Sequence, residues 1–316
     1  MGSFRDIPIA ALPEWAERLI IAERLPDTYR REVQTVVSPV ARWIESLHGA
    51  ASRPLIIGLN GAQGSGKSTL ALFLQHWLTE ELGLTTARLS LDDLYLSKAE
   101  RGALAATEHP LLQTRGVPGT HDVNLGMQLL DGLTNANGPA GTVPVPVFDK
   151  AIDDRVPEDD WPGIETPVDV VLFEGWCVGA RPQESAALED PLNELEATED
   201  PDGSWRGFVN ARLENDYADL WRRLDALILL RVPSFEMVFE WRGLQEKKLQ
   251  ENADDISAGQ KEAELERFIR HYERLTRHML ATMPGYADLT IDIDEEHRMS
   301  ISRGENDSPP DRETPL

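Results

Sequence analysis

The sequence has one cysteine, Cys177, in 316 residues. No disulfide can form within the chain, and a reducing compartment suits it best. No window approaches the ~18–20 uninterrupted apolar residues that a bilayer-spanning helix needs, so no membrane partner is expected. The stretch MGSFRDIPIAALPEWAERL lacks the basic segment followed by an apolar one that marks a secretory signal. A cytoplasmic protein is the expectation. Positive charge is scarce as well: 31 Lys and Arg stand against 55 Asp and Glu, a net charge of −24. Nucleic-acid binders usually carry a basic stripe, so no nucleic-acid partner is expected. Acidity does not exclude phosphate ligands, because backbone amides and a few cations supply local positive potential. There is no internal repeat.

What is present suffices for one large core or two modest ones, since 41% of residues are hydrophobic. Residues 12–48 read as two helices, with Pro13 suited to a helix start. From Pro54 onward short apolar runs alternate with helical segments. The runs are LIIGLN (55–60), ARLSLDD (87–93), VDVVLFEG (168–175), LDALILLRV (224–232) and ADLTIDID (287–294). Doubly buried strands separated by helices predict an α/β fold, a mostly parallel central sheet with helices on both faces. The expected organisation is a helical extension over 1–50, a main domain over 51–300 and a disordered tail over 301–316. A Pro- and Gly-rich region, 97–167, reads as a long functional loop region, and 181–207 as a polar surface insertion.

The stretch Gly61-Ala62-Gln63-Gly64-Ser65-Gly66-Lys67-Ser68 fits G-x-x-x-x-G-K-[ST]. It follows an apolar strand and precedes STLALFLQHWLTEEL, a helical pattern, so its context fits too. The glycines let the backbone curl around phosphate oxygens, and the helix N-terminus adds partial positive charge. Lys67 is expected to bridge the β- and γ-phosphates, Ser68 to ligate Mg²⁺, and Thr69 to start the helix or touch the α-phosphate. This is a nucleoside-triphosphate site in a P-loop NTPase sandwich, with ATP and Mg²⁺ as expected cofactors. The guanine-reading N-K-x-D and the D-x-x-G switch of GTPases are missing from their places.

The second run brings Asp92 and Asp93 to the carboxyl end of the sheet, where open α/β folds bind ligands. A carboxylate there can take the proton of an attacking hydroxyl, or it can cap the following turn. On the residues alone, either aspartate can do either job. The third run ends in Glu174, where P-loop proteins place the acid that holds Mg²⁺. Cys177 reads as a small packing residue.

SLDDLY after a P-loop and FEG at a strand end resemble the kinase group containing uridine kinase, phosphoribulokinase and pantothenate kinase. A closer resemblance is to the D-glycerate 3-kinase family. It is carried by GAQGSGKST (61–69), SLDDLYL (90–96), RGVPGTHD (115–122), PVFDKAIDDR (146–155), FEGWCVG (173–179) and HYERLTRHML (271–280). The resemblance implies an ATP-dependent small-molecule kinase that phosphorylates D-glycerate to 3-phosphoglycerate; the alternatives are the same chemistry on a nucleoside, pantothenate or a sugar phosphate, or a non-catalytic ATP-binding regulatory protein. It makes Asp92 the general base, Ser68 and Glu174 the Mg²⁺ ligands, and Lys67 the holder of the transferring phosphate. It places Tyr95, Arg115, His121, Asp122, Asp149, Lys150 and Arg155 at the substrate. Arg115 would pair with a carboxylate, and His121 and Asp122 with hydroxyls. Three of them also have a plainer role: His121 or Asp122 as the cap of a helix starting near Asn124, and Arg155 as a surface partner of Asp153 or Asp154. A lid over about 234–250 would bring Arg242 over the phosphates. The expected assembly is a monomer or homodimer.

Overall fold

The structure, a computed structural model, describes residues 11–135, 140–241 and 258–302. Helix α1 (Glu14–Ala22) is followed by α2 (Tyr29–Glu32), which continues through a π turn, Val33–Val37, into α3 (Ser38–Ala51). Then come β1 (Leu55–Gly61), α4 (Lys67–His76), β2 (Thr86–Ser90), α5 (Lys98–Thr107) and α6 (Val123–Thr134). Two small ribbons follow, β3 (Gly141–Pro144) paired with β6 (Gly163–Thr166), and β4 (Phe148–Asp149) paired with β5 (Asp154–Arg155). The chain goes on through β7 (Val170–Gly175), α7 (Glu194–Glu199), α8 (Ser204–Glu214), α9 (Asp216–Trp221) and β8 (Ala226–Arg231). The described part of α10 covers 235–241, and α11 (Ala258–Thr282), β9 (Leu289–Ile293) and β10 (Met299–Ser302) complete the fold.

The central sheet has the order β10-β9-β8-β1-β7-β2, parallel except for β10. Strand residues alternate between two cores, as the period of two requires. Leu55, Ile57, Leu59, Val170, Leu172, Ile228 and Leu230 face α1–α4. Ile56, Val171, Phe173, Leu227 and Leu229 face the layer of α6, α9 and α11. The result is a three-layer α/β/α sandwich, and the N-terminal helices share one of its cores. Among the described residues no helix is long and apolar enough to cross a membrane.

Four differences from the sequence reading have local causes. The second strand stops at Ser90 rather than at residue 93, because the Asp92 amide donates to Ser90 Oγ at 3.3 Å and turns the chain into a 3₁₀ turn, Leu91–Leu94. Region 97–167 contains α5 and α6. A capping box, with Ser97 and Glu100 bonding each other's backbone, starts the first. Region 181–207 folds around buried Leu195 and Trp205, with Glu196 and Asp200 fully buried and ion-paired to Arg274 and Arg206. The edge strand β10, too short and polar to show periodicity, pairs antiparallel with β9.

Candidate active site

The sheet register assembles the site. β7 lies between β1 and β2, so Glu174 stands level with Leu59 on one side and Ser90 on the other. The P-loop leaves β1 just beyond Leu59, and the turn carrying Asp92 leaves β2 just beyond Ser90. Three segments distant in sequence thus end side by side.

Within the loop, Gly64 and Gly66 have φ of +80° and +82°, values that L side chains rarely adopt. Gly66 caps α4, and Lys67 is its first residue. A Cβ at Gly64 would sit 3.0 Å from Trp241 Cβ, so the beginning of the expected lid helix packs on the phosphate loop. Arg242, the next residue, lies outside the described residues.

Ser68 donates its hydroxyl to Glu174 Oε1 at 2.8 Å. Glu174 is 7% exposed, and its Oε2 is buried without a hydrogen-bond partner. A buried carboxylate oxygen left bare is costly unless a cation meets it. This hydroxyl–carboxylate pair therefore fits a divalent cation of the Mg²⁺ kind, which takes few protein ligands and completes its shell with water and phosphate oxygens.

The two aspartates are told apart by their partners. Asp93 Oδ1 accepts the Phe148 amide at 3.1 Å, anchoring the β4–β5 ribbon, and burial pushes its carboxyl pKa up. Asp92 receives Lys150 Nζ on Oδ2 at 2.6 Å and the Tyr95 hydroxyl on Oδ1 at 2.8 Å. Burial alone would raise its pKa, but the charges of Lys150 and Lys67 together with the hydrogen bonds from Lys150 and Tyr95 outweigh burial and hold it at about 2. Tyr95, expected at the substrate, is itself buried and orients Asp92.

The RGVPGTHD loop lies beside this carboxylate. Residues Tyr95 and His121 form an isolated β-bridge, and their rings stack at 4.7 Å. His121 is 3% exposed, and burial lowers its pKa to about 3. Asp122 caps α6, accepting the Leu125 amide at 2.9 Å, and its other oxygen lies 3.8 Å from Arg155 Nη2. Arg155 donates to the Tyr95 carbonyl at 2.8 Å. The pairing of Arg155 with Asp153 or Asp154, read as its plainer role, is replaced by these contacts. Asp149 uses Oδ1 to close the ribbon's turn, accepting the Ala151 amide at 2.8 Å. Arg115 is ion-paired with Asp153 over the Phe148 ring.

The sequence reading missed Arg101 and Asp153, which tie the segment around Arg115 to the β4–β5 ribbon. Arg101 is fully buried and donates to the carbonyls of Leu96, Gln113 and Asp153 and to Asp153 Oδ2. Asp153 thereby joins two arginines, and its φ of +56° places it at the ribbon's turn. The capping box beginning at Ser97 was the one available signal that residue 101 lies on a helix. The segment HYERLTRHML contributes Tyr272, whose hydroxyl donates to the Arg115 carbonyl at 3.0 Å. Cys177 is fully buried packing, with its thiol pKa raised well above the usual value by burial.

No protein-family model matches the sequence. The chain is 33% identical over 247 residues to Uncharacterized kinase mug58 of Schizosaccharomyces pombe, covering 76% of this chain and 86% of that protein. It is 31% identical over 283 residues to the chloroplastic D-glycerate 3-kinase of Arabidopsis thaliana, covering 82% of this chain and 58% of that protein. The chain thus spans little more than half the length of the plant relative. Among solved structures, D-glycerate 3-kinase from Cryptococcus neoformans var. grubii has the same fold, with a TM-score of 0.69 at 24% identity over 84% of this chain and 98% of that one. With the P-loop, the carboxylate after β2 and the acid ending β7 assembled at one edge of the sheet, the chain belongs to the D-glycerate 3-kinase family of P-loop kinases, phosphotransferases with an alcohol acceptor.

Proposed function

We propose that the protein transfers the γ-phosphate of ATP to the 3-hydroxyl of D-glycerate, giving 3-phosphoglycerate. The observation that carries this reading is Asp92, bonded to Lys150 and Tyr95 and close enough to Lys67 to feel its charge. Asp92 then offers a carboxylate for an attacking hydroxyl and Lys150 a cation for an acid group, with Arg115 and Arg155 tied to the same β4–β5 ribbon. A three-carbon hydroxy acid needs both.

In this mechanism Lys67 and the loop Gly61–Thr69 hold the triphosphate, and Arg242 is assigned the role of adding charge there. Asp92 accepts the hydroxyl proton as the phosphoryl group moves. A carboxylate of pKa about 2 is a weak base. It suffices where the transition state is loose and the proton leaves late, since orienting the oxygen in line is then the larger contribution. Lys150 exchanges its partner from Asp92 to the acceptor's carboxylate, freeing Oδ2 for the hydroxyl. Ser68 and Glu174 would hold Mg²⁺, which supplies charge neutralisation at the phosphates when bound.

The test is ADP release with D-glycerate, L-glycerate, uridine, pantothenate and ribulose 5-phosphate, with NMR of the product to identify the esterified hydroxyl. Turnover on D-glycerate with a 3-phosphate product is expected. Turnover on uridine or pantothenate with none on glycerate overturns the reading.

A further inference from the structure

We propose that Tyr217 fixes the tautomer of His121, so that this buried imidazole presents Nε2–H as a permanent donor to an unprotonated oxygen of the acceptor. The proposal rests on the kinase reading above and adds a positioning residue to it. Tyr217 stands on α9, outside every stretch of sequence that suggested chemistry, and is fully buried.

The Gly119 amide donates to the Tyr217 hydroxyl oxygen at 3.0 Å, and the same hydroxyl lies 2.5 Å from His121 Nδ1. A phenol has one proton to give. With an N–H already directed at its oxygen, that proton goes to Nδ1, which is then the bare nitrogen of the ring. The other tautomer would strand a buried phenol proton as well as a bare Nε2, and unpaired buried polar groups are costly. His121 Nε2 is buried and has no hydrogen-bond partner. The titratable groups facing the ring are Tyr95, stacked on it at 4.7 Å, and Tyr217, edge-on at 5.8 Å. Asp92 acts on it through its charge, yet burial prevails and the ring stays neutral.

A buried N–H without a partner, one stacked ring away from the proposed base, calls for an oxygen supplied by the ligand. A fixed donor accepts a carboxylate or a hydroxyl lone pair. It meets an ammonium or amide N–H with another hydrogen. The relay from Gly119 through Tyr217 to His121 thus selects for acids and against their amine analogues, without adding a third full positive charge to those of Lys150 and Lys67 around Asp92.

The test is ¹⁵N NMR of histidines in the ligand-free full chain, with His121→Gln identifying the signal. The Nε2–H pattern is expected, unchanged from pH 5.5 to 8. An Nδ1–H pattern, or titration within that range, overturns the proposal whatever the acceptor proves to be. Tyr217→Phe keeps the ring and removes the hydroxyl. It is expected to mix the tautomers and raise the acceptor KM roughly tenfold, with the ATP KM unchanged. Kinetics use whichever panel acceptor turns over, so failure of the glycerate assignment is read separately. An unaltered tautomer and acceptor KM in Tyr217→Phe overturns the proposal. Should that variant not fold, His121→Gln, whose amide nitrogen can stand near Nε2, is expected to bind acceptor within a few-fold of wild type, and His121→Leu to lose it. Equal loss in both overturns the proposal.

Discussion

At the scale of the residue, the chemistry converges on Asp92, and its two partners lead to separate predictions. Asp92→Asn keeps the shape and loses the proton acceptor. Its ATP affinity by calorimetry should match the wild type while kcat falls by ~10²–10⁴-fold, the usual contribution of a general base. Activity within a few-fold of wild type would move the role to another group. Lys150→Met removes the leading charge that holds Asp92 down, so its pKa rises as burial meets less opposition. The pH profile of kcat/KM should then gain an acid limb that the wild type lacks above pH 5, because the free enzyme's base now becomes protonated as pH falls. A flat profile in the variant would show that Lys150 does not control this carboxylate. The choice between Asp92 and Asp93 was not legible in the sequence. Both follow the same strand, and the amide that claims Asp93 belongs to Phe148, 55 positions later.

At the scale of the element, the RGVPGTHD loop is shaped by close packing as much as by hydrogen bonds. Gly116 has φ of +133°, and a Cβ there would lie 2.0 Å from the Tyr272 hydroxyl oxygen. Trp176 donates its indole N–H to the Gly116 carbonyl at 2.8 Å, so the loop cannot easily retreat. Gly116→Ala should cost ~2–4 kcal/mol in denaturant unfolding, from overpacking together with backbone strain. Gly49→Ala in α3 is the contrasting case. Nothing lies within 4 Å of the new methyl, and the change should stabilise by up to ~1 kcal/mol. If both substitutions had the same effect, packing around Gly116 would not be what determines the loop. Helix α5 shows why element reading failed nearby: its capping box is plain in Ser97-Lys98-Ala99-Glu100, but its weakly apolar body gave no stripe to follow.

At the scale of the whole molecule, Glu32 joins the N-terminal helices to the far edge of the sheet. It is 4% exposed and accepts the Met299 amide at 3.1 Å on β10. Burial raises its pKa to about 6, although the Met299 amide lowers it. A raised carboxyl pKa means that the folded state binds the proton more tightly than the unfolded chain. The stability contributed by that proton is present below about pH 4.5 and is lost as pH rises through about 6. Glu32→Gln keeps an acceptor for the Met299 amide and carries no charge. It should therefore be more stable than wild type by ~2 kcal/mol above pH 6.5, a gain that shrinks towards pH 5, measured by thermal unfolding at several pH values. A gain independent of pH would mean that the charge is not the cause.

The sequence alone determined the five parallel strands of the central sheet, the phosphate loop and the acid at the end of β7. Each is local: a period of two, a glycine spacing before a helix, a carboxylate closing an apolar run. It also determined that Asp92 and Glu174 would reach the same edge, because parallel strands all end there. Only the tertiary structure decided which side chains meet. Asp92 and Lys150 are 58 positions apart, His121 and Tyr217 are 96, and Ser68 and Glu174 are 106. Such pairs depend on how loops fold back over the sheet and on which buried polar groups find partners, and no spacing within one segment encodes that.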